Sequence, residues 1–150
     1  MIGLCRRFKS LDRPARRLVL EAASLMAFVW IGLRLLRYST VRQVLDHYAR
    51  PSNARSAGQP HSNVIGPVRW AITAVAARFP LATCLVQALA ADAMLRRRGL
   101  GSEVCMGVRV GSKSAMPIEA HAWVECEGAV AIGAIEQLSD FEVLTILRPQ

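Results

Sequence analysis

Apolar residues recur at helical spacing through the first two thirds of the chain and at alternate positions through the last third. Asp12 before Arg13 and Pro14 fits a helix start with the aspartate as N-cap, and the helical pattern then runs to about Arg37. Its ends carry charge, while residues 22–33 are apolar almost all round, which suits a helix buried in a core or one lying in a membrane interface. Ser39 or Thr40 can cap a second, amphipathic helix through Arg50, with Val41, Val44, Leu45 and Tyr48 on one side. Residues 51–62 (PSNARSAGQPHS) hold no apolar run and read as a linker. Residues 64–78 form the next helical stretch, Pro80 breaks it, and a strong helix follows over 83–98, closed by Gly99 at the C′ position. Arg96, Arg97 and Arg98 fill its last turn, where cations suit the helix dipole, so the run reads as a capping feature.

After Gly101 the period changes to two. Strands are expected over 103–110, Ile118–Cys126, 129–133 and 143–147, separated by the turn-rich residues 111–114 and by Glu127 and Gly128. Helices followed by an antiparallel meander make the chain α+β. The expected organisation is a basic and apolar helical region over 1–50, the linker over 51–62 and a core over 63–150.

At 150 residues this is one domain, and a hydrophobic content of 53% excludes disorder. Charge changes the picture more. Residues 1–55 hold eleven Lys/Arg against three Asp/Glu, whereas 56–150 balance at eight each, so the whole net charge of +8 lies in the N-terminal third. Such asymmetry points to an anionic partner, either a membrane surface or an acidic protein or peptide. Interleaved aromatics suited to base stacking are scarce there, which argues against nucleic acid. Arg6 and Arg7 ahead of an apolar run superficially resemble a targeting signal, but no small-residue cleavage site follows, and twelve apolar residues fall short of the roughly 20 needed to span a bilayer. A cytoplasmic protein with reduced thiols is expected, with contact to a membrane surface as its alternative environment.

The four cysteines (Cys5, Cys84, Cys105, Cys126) form no CxxC pair and no Cys/His cluster, so no metal site and no cofactor are expected. Cys84 stands out by place. It falls at the start of the 83–98 helix, where unpaired N–H groups and the dipole favour a thiolate and can hold an oxyanion. Cys105 and Cys126 sit among apolar strand residues and read as buried fillers, and nothing singles out Cys5. Of three histidines, His47 and His61 read as solvated. His121 lies mid-strand, on the face that alternation gives to Glu119, Trp123 and Glu125. On spacing alone Cys84 and His121 are each better read as structural; a helix-start cysteine followed by a strand histidine is, however, how papain-like sites are assembled.

The segments ATCLVQALA (82–90), LRRRG (95–99), Gly107 with Val108, and EAHAWVE (119–125) followed by Gly128 together resemble the transglutaminase-like leader peptidases of lasso-peptide maturation. The basic and apolar N-terminal helices resemble that family too. The resemblance implies a papain/transglutaminase-like core in which the helix bearing Cys84 packs on a small antiparallel sheet bearing His121. It implies hydrolysis of one peptide bond between the leader and core of a ribosomally made precursor. As partners it implies the precursor peptide, a separate leader-recognition protein, and an ATP-dependent macrolactam synthetase acting downstream. Such sites usually carry an aspartate roughly a dozen residues after the histidine. Here that count reaches Ile132, Gly133 and Ala134, none of which has a carboxylate. Asp140 is the nearest aspartate and the candidate third member, with Glu136, Glu119 or a backbone carbonyl as substitutes. Two other outcomes stay open: an acyltransferase that uses the same thioester, and a degenerate scaffold without activity, for which Gly133 is the best support.

Overall fold

The Asp12 carboxylate accepts from the Ala15 N–H at 3.2 Å, and Pro14 follows within the first turn. This starts α1 (Arg13–Leu35) in a computed structural model that describes residues 12–50, 62–110 and 118–147. Cys5, His61, the turn at 111–114 and the linker apart from Ser62 lie outside the described residues. At 23 residues, α1 is longer than its apolar run suggests, and length and composition alone would let it cross a membrane. Its inner face (Ala22, Leu25, Met26, Val29 and Gly32) is buried. A Cβ on Gly32 would lie 2.8 Å from Val41 Cγ2, so glycine is what lets α2 (Tyr38–Tyr48) cross this closely.

Arg37 takes the N-cap position of α2 without a side-chain bond, and Ser39 and Thr40, expected as caps, fall inside the helix. Val41 and Leu45 are buried as expected, but Val44 is 44% exposed and Arg42 points inward instead. The reason is electrostatic. Asp92, on the central helix, is 1% exposed, and Arg42 Nη1 reaches its Oδ2 at 3.3 Å while Arg42 Nε faces Asp46 at 3.5 Å. A buried carboxylate without such a partner would cost several kcal/mol, roughly 3–5. Burial pushes the Asp92 carboxyl upward, against the opposing pull of Ser102, Arg42 and Arg96.

After α3 (Ser62–Ala76), the chain turns at Pro80 into α4 (Cys84–Arg97), the central helix, whose residues 88–95 are buried without interruption. Thr83 caps its start. Its end is a Schellman motif, with Gly99 at φ +82°, Gly99 N–H donating to the Arg96 carbonyl and Leu100 N–H to the Leu95 carbonyl. The three arginines do more than cap. Arg96 pairs with Asp46 and Asp92, Arg97 donates to the Tyr48 carbonyl at 3.0 Å with its guanidinium over the Tyr48 ring, and Arg98 pairs with Glu21 at 2.6 Å. They tie α4 to α1 and α2.

The sheet is antiparallel throughout: β1 (Ser102–Val110), β2 (Ile118–Cys126), β3 (Ala129–Ile132) and β4 (Glu142–Leu147), in the order β3-β2-β1-β4. It departs from the expected meander because β4 pairs with the open edge of β1, not with β3. The connection, which includes a short 3-10 turn at Leu138–Asp140, brings Phe141 and Leu138 against Cys105 and Trp123 and so covers the outer face of the sheet on its way across. Glu127 (φ 53°) and Gly128 (φ 77°) form the tight hairpin turn between β2 and β3. On the other face Val104, Ala122, Val124 and Cys126 join one apolar core with residues of all four helices, among them Ala22 of α1, Leu45 of α2, Ile72 of α3 and Leu95 of α4.

Candidate active site

Cys84 is the first residue of α4. Thr83 Oγ1 accepts from the Val86 N–H at 3.4 Å, and the Thr83 carbonyl accepts from Gln87 N–H at 3.0 Å. That leaves the N–H groups of Cys84 and Leu85 without partners among the described residues, the two donors that a helix start leaves over. No acidic side chain occupies this first turn. The Cys84 thiol is free and half-buried, packed at the margin of the main core. Cys105 and Cys126 are buried. Burial, with Glu125 and Glu103 nearby, pushes Cys105 up to about 11, and burial, with Asp92 and Glu127, does the same for Cys126. Both stay protonated at neutral pH.

His121 sits mid-β2 opposite Gly107 of β1. Its ring is stacked beside Trp123 (centroids 6.1 Å apart, planes at 16°) and tilted against Phe141 at 5.7 Å. Gly107 is needed there, because a Cβ would lie 2.9 Å from the Glu142 carbonyl and 3.1 Å from the Trp123 ring. His121 Nε2 lies 2.8 Å from the carbonyl oxygen of Gly133, twelve residues on. Gly133 reaches this place at φ +84°, and a Cβ on it would stand 3.0 Å from Trp123 Cβ. The position where an acid is usual therefore carries a residue that must be glycine, and its carbonyl takes the imidazole bond.

The other candidates for the orienting role are occupied elsewhere. The Asp140 carboxylate lies 3.7 Å from Arg109 Nη1, and Glu119 pairs with Arg109 Nη2 at 2.7 Å. Glu136 is exposed. Among the described residues the structure brings His121 to Gly133, Trp123 and Phe141, and no hydrogen bond joins its ring to the Cys84 sulfur or to Asp140. The thiol packs on the helix side of the sheet and the ring on the Trp123 side. Phe141 went unnoticed in the sequence because only the return of β4 to β1 brings it over the sheet. A backbone carbonyl was among the open substitutes, but the sequence did not say which.

A helix-start cysteine, a strand histidine downstream and a polar group a dozen residues further, on helices followed by an antiparallel sheet, match a known pattern. The family model of the transglutaminase-like superfamily matches residues 25–145. The chain belongs to the transglutaminase-like superfamily. Neither a curated protein nor a solved structure matches the chain. Members of the superfamily are generally cysteine-dependent enzymes, peptidases or acyltransferases. The match begins inside α1, so the superfamily core takes in most of the N-terminal helices as well as the sheet.

Proposed function

We propose that the protein is a cysteine peptidase that removes the leader from a ribosomally made precursor peptide of the lasso type, with Cys84 as nucleophile and His121 as base. The observation that carries this reading is the bond from His121 to Gly133. A carbonyl oxygen only accepts, so the proton sits on Nε2 and the lone pair of the neutral ring on Nδ1. That leaves Nδ1 as the nitrogen able to take a proton, with the tautomer set without an aspartate.

One end of α4 is tied to the sheet. Ser102 Oγ donates to Asp92 Oδ1 at 2.7 Å, which holds the C-terminal half of α4 near the Ser102–Cys126 pair. From Asp92 the helix covers about 12 Å to Cys84, and β2 runs about 17 Å from Cys126 to His121. The two side chains pack on different sides of the sheet and no hydrogen bond joins them among the described residues, so the reading rests on the superfamily match and on the His121 bond to Gly133.

In the reaction, the Sγ–H proton passes to Nδ1 and the thiolate forms a bond to the scissile carbonyl carbon. The oxyanion is held by the Cys84 and Leu85 N–H groups. The C–N bond then breaks as Nδ1 returns the proton to the leaving amine, and water, deprotonated by His121, releases the new carboxylate from the thioester. The leader-binding protein and the synthetase that closes the ring on the freed amine would be separate partners, and the free thiols suit the cytoplasm.

The test is incubation with a precursor peptide, with and without a leader-binding protein, read by mass. Hydrolysis yields two fragments whose masses sum to the precursor plus water, and Cys84→Ala abolishes it. A product carrying an added amine would instead identify an acyltransferase. A degenerate scaffold is favoured by Gly133 in place of the acid and by the lack of a hydrogen bond between thiol and ring among the described residues; unchanged precursor under all conditions would support it.

A further inference from the structure

The outer face of α1 is not that of an ordinary surface helix. At 100° per residue, Arg13, Arg17, Leu20, Ser24, Ile31 and Leu35 fall in one sector less than about 100° wide, opposite the buried Ala22, Leu25, Met26 and Val29. Leu20, Ile31 and Leu35 on this stripe are 53%, 47% and 77% exposed. Only 28% of the most apolar eighteen-residue stretch of α1 is buried. Leu36 and Tyr38, also exposed, continue the apolar surface into α2, and a groove of about 330 Å³ between Phe28 and Val44 adjoins it.

Apart from Asp12 at the helix cap, the exposed charges along the stripe are arginines: Arg13 and Arg17 at its start, and Arg34, stacked over Trp30, and Arg37 at its far end. The acids of the region are engaged inward, Glu21 with Arg98 and Tyr48, and Asp46 with Arg96 and Arg42. Asp12 is spent on the helix cap. An apolar band with cations at both ends complements a bilayer carrying anionic headgroups, with Leu and Ile side chains at the acyl boundary and guanidinium groups beside phosphates. Such a bilayer offers both chemistries at every point of its surface. A protein partner would need carboxylates at both ends of an apolar groove about 22 Å long. Spanning the bilayer would strip Ala22, Met26 and Val29 from the core, so the helix lies along the surface.

We infer that the outer face of α1, continued by the start of α2, docks the folded protein on an anionic bilayer surface. Flotation of the full chain tests this, with vesicles of phosphatidylcholine alone and of phosphatidylcholine mixed with phosphatidylserine. The native chain floats with the mixed vesicles and far less with phosphatidylcholine. Ile31→Glu and Leu35→Glu, with circular dichroism unchanged, each weaken binding at least about tenfold. Arg34→Gln and Arg37→Gln each weaken binding to the mixed vesicles about fivefold, and added salt acts in the same direction. No flotation of the native chain, or equal flotation of native and Glu variants, overturns the inference. So does a protein that captures the native chain but not Ile31→Glu while vesicles capture neither.

Discussion

Because a carbonyl oxygen cannot donate, the 2.8 Å contact between His121 Nε2 and Gly133 sets which ring nitrogen carries the proton. The backbone carbonyl thus takes the imidazole bond, and it does so through a residue that no side chain can replace cheaply. Gly133→Ala puts a Cβ 3.0 Å from Trp123 and forces an L residue into φ +84°. The left-handed conformation alone costs roughly 1–2 kcal/mol, so urea unfolding of this variant should show a loss of at least that size. Gly133→Asp should not restore a triad, because the same strain applies. The place of Cys84 at a helix start and of His121 within a strand was legible in the sequence. Their mutual arrangement was not, because which side of the sheet meets the helix depends on packing between distant segments. Asp140 was named for its type and proximity in sequence, and only the fold shows Arg109 beside it.

At the scale of elements, the end of α4 is stitched to α1 and α2 by Arg96, Arg97 and Arg98. Glu21 receives both Arg98 and the Tyr48 hydroxyl. Burial alone would raise its carboxyl, but the hydrogen bonds from Arg98 and Tyr48 and the charges of Arg98 and Arg97 outweigh that and hold it below 4.5. A depressed folded value means that the contribution to stability is full above 4.5 and is lost as pH falls through the folded value. Glu21→Gln should therefore be less stable than the native chain at neutral pH, and the gap should close as acid unfolding proceeds below pH 4.5; a constant gap would mean that the carboxylate charge is not what matters. Element boundaries were largely readable. Helix caps at Asp12 and Thr83, the glycine stop at Gly99 and alternation in β1 and β2 all act within a few residues of where they are written. The inward turn of Arg42 and the return of β4 to β1 were not, since each answers to a partner far along the chain.

Over the whole molecule, residues on both sides of the linker share one apolar core. Ala22, Met26 and Val29 of α1 pack in the same cluster as Leu89, Met94 and Val124. Urea unfolding followed separately by helical circular dichroism and by Trp123 fluorescence, with Trp30 and Trp70 replaced by Phe, should give coincident transitions; two separated midpoints would mean that the helices fold apart from the sheet. The end of α4 opposite Cys84 is held to α1 and α2 within that core. The claim that Cys84 and His121 act together is tested most directly by the rate of Cys84 alkylation with iodoacetamide at neutral pH, read by peptide mass in the native chain and in His121→Ala. The account predicts rapid labelling of native Cys84, with Cys105 and Cys126 silent, and labelling at least about tenfold slower in the folded His121→Ala variant. Equal rates in the two proteins would contradict it.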